Sequence, residues 1–587
     1  MGSLLAPEVE LALVFGLLVL VAVLLVLRPK RGDVVALIPV LVFSITGILR
    51  PEQAFNGFIS NAVVVLISAF VLARGIFSTG MLDRVADWIF RKARTPLASL
   101  MGILVLSATV SSFFSDTGTL LIMLPVAHRL CRRFNLSPSK VMMPLAFATM
   151  VSGTVTLTSA SSNLVISNYA GRAGIGELQF FSLAPVGLAV TLAGLLVLLF
   201  LAPRILPDRR GQASGAGDYT TGEYLTEVKV TGSSPFIGKT ALKVEAGQGF
   251  PPISAVRRGK SLFSPNDQVT LRSGDLLMLK VAPKDIQDLT LAEGLEMADA
   301  SPAATDLMEV VVPPNSSLVG HSISEARLTK GAQASILGIS RHGLPKTEDL
   351  STMKLQVGDV LLIRGSDDAL QESLKMLGCL PLEGRGVVVF NRYNTLKALG
   401  IFGLVVGLAV SQVLTVAVAF ALGALMIILL GVLSVREAYS SIDWPLVVLL
   451  GGLLSLGLAM EETGTSVFIA EGVLAAVGGA GAFASVALLL IIAILLTTIM
   501  TNAAVAAIMA PIAVTLAELQ GVNPFTLLAA VAVGCSLSML MPYSHQCNLL
   551  VRGPGGYSEG DYLRLGLVVL ALCVPTAFAL IPLVWPP

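Results

Sequence analysis

Four polar interruptions inside long apolar runs hold the residues best suited to chemistry. The first reads Ser111-Ser112-Phe113-Phe114-Ser115-Asp116-Thr117-Gly118-Thr119, and the second runs from Ser152-Gly153-Thr154 to Ser162-Asn163. The third is Thr497-Thr498-Ile499-Met500-Thr501-Asn502-Ala503-Ala504, and the fourth extends from Ser536-Leu537-Ser538 through Pro542-Tyr543-Ser544-His545-Gln546 to Asn548. No Lys or Arg occurs from Leu100 to His128, from Val141 to Gly171, or from Ala480 to Val551. An anion held among these segments therefore meets only Ser, Thr and Asn side chains and the backbone N–H groups at helix N-termini. A dianion in a low-dielectric site needs more positive charge than these supply. Sodium ions would provide it, and carbonyl oxygens at the other broken helix ends suit a hard cation.

Asp116 is the only acid in its interruption. A carboxylate at membrane depth is costly and marks function by default. It either ligates sodium, carries a proton, or caps a helix within reach of water. His545 has the same ambiguity between binding substrate and capping a helix.

The elements that position these residues follow from hydropathy. The chain has 587 residues, 54% hydrophobic and 13% charged, with mean hydropathy +0.82. Soluble domains carry about twice that charge fraction, so the chain reads as an all-α polytopic membrane protein, and its net charge of +1 points to no nucleic acid. Apolar runs at 9–27, 34–49, 61–80 and 178–202, then 397–414, 416–434, 444–460 and 564–585, are candidates to cross a bilayer of about 30 Å. The first lacks the basic leading flank of a signal peptide and is expected to be retained. Stretches 98–130 and 480–517 read as re-entrant hairpins, and the arms of the first, roughly 14 residues each, are too short to span alone. Stretches 141–170 and 524–550 read as broken helices.

Basic residues set the sidedness. Arg28, Lys30 and Arg31, then Arg84, Arg91, Lys92 and Arg94, Arg129, Arg132, Arg133 and Lys140, and Arg204, Arg209 and Arg210 are expected in the cytoplasm. Both termini then lie outside, and the halves 1–205 and 393–587 have opposite orientation. Sequence parallels agree. Ser115-Asp116-Thr117 precedes Met123-Leu124-Pro125 as Thr501-Asn502-Ala503 precedes Met509-Ala510-Pro511. Ser152-Gly153-Thr154 precedes Asn163-Leu164-Val165 as Ser536-Leu537-Ser538 precedes Asn548-Leu549-Leu550. Two inverted repeats with re-entrant hairpins and broken helices are expected.

Most charge falls in an insert that should be cytosolic. It is internally repetitive: Ser273-Gly274-Asp275-Leu276-Leu277-Met278 matches Val357-Gly358-Asp359-Val360-Leu361-Leu362. Short alternating strands between glycine turns indicate two small α/β modules, 210–298 and 303–385. Gly232 to Thr240 resembles a phosphate-binding loop but has five residues between its glycines rather than four. The five cysteines show neither metal nor disulfide spacing, and no paired nucleophile and base supports an enzyme.

Residues 152–165, Ser-Gly-Thr-Val-Thr-Leu-Thr-Ser-Ala-Ser-Ser-Asn-Leu-Val, resemble an element of the divalent anion:sodium symporter (DASS) family. Pro542-Tyr543-Ser544-His545-Gln546-Cys547-Asn548 with Gly553-Pro554-Gly555-Gly556-Tyr557 resembles its second-half counterpart, and the resemblance covers nearly the whole chain. The nearest branch is the sodium/sulfate symporters that carry two cytosolic TrkA-C (RCK C-terminal) domains. The resemblance implies a plasma-membrane homodimer in contact with lipid, working by an elevator motion. Residues 98–202 and 480–587 would move, while 9–97 and 397–475 would form the scaffold. It also implies a small-molecule ligand for the TrkA-C-like modules. The family's Ser-Asn-Thr-like hairpin tips map onto Ser115-Asp116-Thr117 and Thr501-Asn502-Ala503, with Asp116 and Ala503 as departures.

Taken together, the expected substrate contacts are Ser115, Thr117, Thr501, Asn502, Ser544 and His545. The expected sodium ligands are Ser115, Asp116, Ser152, Gly153, Thr154, Asn163, Thr501, Asn502, Ser538 and Asn548. The expected activity is Na+-coupled symport of a divalent anion, sulfate foremost. A dicarboxylate symporter, a cation/proton antiporter using Asp116, and a nutrient sensor are the alternatives.

Overall fold

The structure is a computed structural model. It describes residues 6–27, 32–93, 95–209, 392–477 and 481–587. Within the insert it describes 224–245, 251, 253–259, 261–263, 269–281, 295–297, 306–314, 316–322, 325, 335–341, 353–365 and 377–381. Arg28, Lys30, Arg31, Arg94 and Arg210, used above for sidedness, lie outside the described residues.

The first half is helical: α1 (Pro7–Leu27), α2 (Gly32–Thr46), α3 (Pro51–Phe55), α4 (Asn61–Phe77), α5 (Met81–Lys92), α6 (Pro96–Ser111), α7 (Asp116–Phe134), α8 (Met142–Val151), α9 (Ser161–Arg172), α10 (Ala184–Phe200) and α11 (Ala202–Ile205). Local chemistry sets the starts. Ser60 caps α4 by accepting from the Val63 amide, and Thr95 caps α6 from Ala98, with Pro96 in the first turn. These oxygens satisfy amides that have no partner inside the helix. Gly80, at φ 72°, separates α4 from α5 in a left-handed turn that a side chain would resist.

After α12 (Ala241–Glu245) in the insert, the second half comprises α13 (Arg392–Val410), α14 (Val416–Leu429), α15 (Val435–Ser440), α16 (Trp444–Glu462), α17 (Thr465–Val477), α18 (Gly481–Thr497), α19 (Asn502–Gln520), α20 (Pro524–Ser536), α21 (Gln546–Gly555) and α22 (Glu559–Val584). Ser558 and Asp561 form a capping box at the start of α22. By length and composition, six described helices can cross a membrane, and five shorter ones are apolar. The two halves interlock: α2 packs on α16, α4 on α14, and α10 on α22.

The arms of the first hairpin are longer than expected. α6 and α7 have 16 and 19 residues, and α18 and α19 have 17 and 19. The second arms outrun the apolar window because local caps end them, not hydropathy. α7 stops at Asn135 and α19 at Gly521, both left-handed.

In the insert, nine described strands join one antiparallel sheet: β1 (Tyr224–Val230), β2 (Ile253–Arg258), β3 (Ser261–Phe263), β4 (Leu276–Val281), β5 (Leu295–Met297), β6 (Asp306–Val311), β7 (Ser335–Ser340), β8 (Val360–Gly365) and β9 (Leu380–Pro381). The order is β3-β2-β4-β1-β7-β8-β6-β9, with β5 also on β1. The two sequence modules meet where β1 pairs with β7, and the Thr226 hydroxyl donates to the Leu337 carbonyl across the seam. Each half of the sheet pairs a buried aspartate with a partly exposed arginine. Arg258 clamps Asp275, and Arg341 clamps Asp359. Burial alone would raise the Asp275 carboxyl, but the Arg258 hydrogen bonds and the Arg272 amide leave it below its ordinary value.

Candidate functional site

The four interruptions are gaps between helices. Residues 112–115 separate α6 from α7, and 498–501 separate α18 from α19. Residues 152–160 separate α8 from α9, and 537–545 separate α20 from α21.

The two longer gaps are built alike. In the first, Asn163 Nδ2 donates to the Gly153 carbonyl at 2.8 Å and the Thr156 carbonyl at 3.0 Å, with Ser159 Oγ at 3.5 Å. In the second, Asn548 Nδ2 donates to the Ser538 carbonyl at 3.2 Å and the Met541 carbonyl at 3.1 Å, with Ser544 Oγ at 3.1 Å. The partners stand ten, seven and four residues before the asparagine in both. The Ser159 hydroxyl reaches the Gly153 and Thr156 carbonyls as Ser544 reaches those of Ser538 and Met541. A glycine backs each gap: a Cβ on Gly187 of α10 would strike the Thr154 carbonyl, and one on Gly566 of α22 would strike that of Met539. Both asparagines are fully buried, and among the described residues Asn163 Oδ1, Asn548 Oδ1 and Ser538 Oγ have no hydrogen-bond partner. Buried acceptors are rarely left so.

The first hairpin tip is fastened to both gaps. The Thr156 and Thr158 hydroxyls donate to the Ser112 and Phe113 carbonyls at 2.5 and 3.0 Å, satisfying carbonyls freed at the end of α6. Asp116 opens α7 and is 6% exposed. Ser111 Oγ lies 2.9 Å from its Oδ1, and His545 Nε2 lies 3.7 Å from its Oδ2. A Cβ on Gly153 would sit 3.4 Å from both carboxylate oxygens and 3.6 Å from Ser536 Oγ. His545 caps α21, its Nδ1 accepting from the Cys547 amide. The Thr117 hydroxyl donates to Gln546 Oε1 at 3.3 Å.

Asp116, Thr117, Gly153 and His545 are thus brought together, while Asn163, Ser538, Ser544 and Asn548 form the two gap frameworks. Ser115 precedes α7 without a side-chain capping bond. Ser152 Oγ reaches the Ala148 and Thr149 carbonyls, and Thr154 Oγ1 reaches that of Val151. Thr501 and Asn502 stand apart: among the described residues neither side chain bonds to the other three segments, and Asn502 Oδ1 is buried without a partner. Ser111, Ser536 and Gln546 were not singled out as site residues, although all three lie in the polar interruptions. Tyr562, whose hydroxyl donates to the Asn548 carbonyl at 2.7 Å, stands in the first turn of α22, outside the four polar interruptions, with no sequence signal to mark it.

Apart from the His545 imidazole and the methionine thioethers, the polar groups in these gaps are oxygens and amide nitrogens, and no group of three or more His, Cys, Asp or Glu capable of holding a metal occurs among the described residues. The arrangement can bind a hard monovalent cation through oxygens and an anion through amides and hydroxyls.

Comparison with known proteins bears on the chain as a whole. The family model described as "Citrate transporter" (CitMHS) matches residues 22–534. An uncharacterized transporter of Synechocystis is 28% identical over 98% of this chain and 97% of its own length. The uncharacterized transporter YfbS of Escherichia coli K12 is 28% identical over 98% of this chain and 99% of its own. Sodium/sulfate cotransporter 2 of Chlamydomonas reinhardtii is 24% identical over 54% of this chain and 38% of its own.

Proposed function

The chain belongs to the citrate transporter family, a multi-pass membrane transporter and not an enzyme, and on that premise we propose that it is a sodium-coupled symporter of a small divalent anion, with sulfate as its substrate. The observation that carries this is the matched pair of gaps. Asn163 and Asn548 each tie down two carbonyls with the amide and leave a buried Oδ1 over. An unpaired acceptor beside ordered carbonyls is what a dehydrated Na+ takes as ligands. Sulfate is favoured over a larger anion by the Chlamydomonas relative's name and by the tight glycine-backed gaps.

In this reading the halves are inverted repeats, and each gap contributes one sodium site near mid-membrane. Gly153, Thr156 and Asn163 serve one, and Ser538, Met541 and Asn548 the other. The anion lies between them, against the first hairpin tip at Ser115 and Thr117 and against Ser544 and His545. Thr501 and Asn502 complete the site when the second hairpin closes on it. The sodium ions supply the positive charge that the side chains lack. The helices bearing the gaps move against the scaffold of a homodimer in an elevator motion, and the insert modulates the rate.

A second reading, cation/proton exchange, draws on one observation, the 3.7 Å approach of His545 to Asp116. Proteoliposomes loaded without sodium distinguish the two. Labelled sulfate entering only with an inward sodium gradient supports symport. Sodium entry driven by a proton gradient, with no dependence on any anion, overturns it. A competition panel of sulfate, thiosulfate, molybdate, succinate, citrate and phosphate then identifies the substrate.

A further inference from the structure

The two halves of the insert carry equivalent glycine–aspartate turns, and among the described residues only the second meets the membrane part. Gly274 has φ +91° and Gly358 φ +86°. Each is followed by an aspartate clamped by an arginine, Asp275 by Arg258 and Asp359 by Arg341. Each aspartate also accepts from an amide three residues earlier, that of Arg272 at 2.8 Å and that of Gln356 at 2.6 Å. Yet Gly274 is exposed, and a Cβ added there meets nothing within 4 Å. Gly358 is buried, and a Cβ on it would collide with the Leu549 carbonyl of α21. The relation is reciprocal: a Cβ on Gly553 of α21 would collide with the Gly358 carbonyl. Leu549 and Gly553 are four residues apart and share one helix face. Val357 packs against the membrane core from the same turn.

We infer that the Gly358 turn is a docking contact through which the second insert module sets the position of α21, and hence of Asn548, the residue immediately before the contact. The inference rests on the reading of the second gap as a transport site, but the contact itself does not. Glycine on both sides lets the backbones touch, so the contact transmits small displacements that a layer of flexible side chains would absorb. The Arg341–Asp359 pair holds the turn on β8, so whatever reorders the sheet moves the turn with it. The chain's approach to the insert is pinned at the same end of the membrane part. Arg209 Nη2 lies 2.7 Å from Asp561 at the start of α22, and the Arg209 amide donates to Ser139 Oγ at 3.2 Å. The Arg209 guanidinium also donates to the carbonyl of Gly556, which ends α21, so α21 is held both by the module and by the segment that leads to it.

The test uses three variants of the full-length chain. Gly358→Ala adds both left-handed strain and the collision with α21. Gly274→Ala adds the same strain with no neighbour to strike. Gly553→Ala adds the collision alone. Purified protein is examined by hydrogen exchange at 546–555 and by anion uptake into proteoliposomes. Faster exchange at 546–555 in Gly358→Ala and Gly553→Ala, but not in Gly274→Ala, supports the contact. Sodium half-saturation or rate should shift with it by roughly two- to thirtyfold, the usual size of such couplings. Combining Gly358→Ala with Gly553→Ala should add little to either alone. Exchange at 546–555 that is unchanged in both variants, or changed equally by Gly274→Ala, overturns the contact. Changed exchange with unchanged uptake overturns its influence on transport. If wild-type protein moves no anion, the proposed function falls, and exchange still decides the contact.

Discussion

Removing either gap asparagine tests the core of the transport reading, and the structure gives the size of the effect. Asn163 Nδ2 serves the Gly153 and Thr156 carbonyls, and the Ser159 hydroxyl lies 2.6 and 2.7 Å from the same two oxygens. One hydroxyl proton can satisfy only one of them. Asn163→Ala therefore leaves a buried carbonyl unpaired, at a cost of about 1–3 kcal/mol. The count is the same at Asn548, where the Ser544 hydroxyl lies 2.7 Å from the Ser538 and Met541 carbonyls. If the lost Oδ1 is a sodium ligand, sodium binding weakens as well, and a loss of about 1–3 kcal/mol there reads as a roughly five- to hundredfold rise in sodium half-saturation. The assay is sodium-driven sulfate uptake in proteoliposomes, with size-exclusion profiles and thermal stability measured on the same preparations. Both variants should remain folded and lose uptake at physiological sodium, with partial recovery at high sodium. Wild-type sodium half-saturation in both refutes the sodium reading of the gaps. Loss of folded protein with unchanged half-saturation in what survives assigns the asparagines to structure alone.

Three further outcomes follow from the same geometry. Asp116→Asn keeps the side-chain shape but removes a charge, and should raise sodium half-saturation about tenfold, or about 1.4 kcal/mol, with a smaller effect on maximal rate. Uptake against sodium at two pH values checks this, since loss of pH dependence alone would mark a proton carrier and no change would mark a plain helix cap. Gly187→Ala and Gly566→Ala should each cost about 1–3 kcal/mol of stability through overpacking against backbone and slow transport, whereas Gly16→Ala, with nothing within 4 Å, should be silent in melting and uptake. Replacing 213–385 with a flexible linker should leave a folded transporter with altered rate or affinity, and kinetics identical to wild type would reduce the insert to a structural role.

The class of the protein, the positions of its four interruptions and the strand-forming character of its charged insert were legible in the sequence. A bilayer demands apolar runs of fixed length and tolerates polar backbone only where protein surrounds it, so composition along the chain reports both. The parallel between Asn163 and Asn548 was visible as a repeated order of residues, and the structure gave it content as the same hydrogen bonds at the same offsets. The arms of the first hairpin are longer than its apolar window because hydropathy does not see the left-handed cap at Asn135 that ends α7. Other features depended on distance in space. Thr117 meets Gln546 across 429 residues of chain, and no local pattern could pair Asp116 with His545. The two insert modules, separable as sequence, share one sheet because the edge of β1 finds β7. Gly274 and Gly358 are equivalent in sequence and in backbone angle, and only the fold gives one of them a neighbour. Local sequence fixes periodicity, caps and turns, whereas which surfaces meet is decided by packing among elements far apart in the chain.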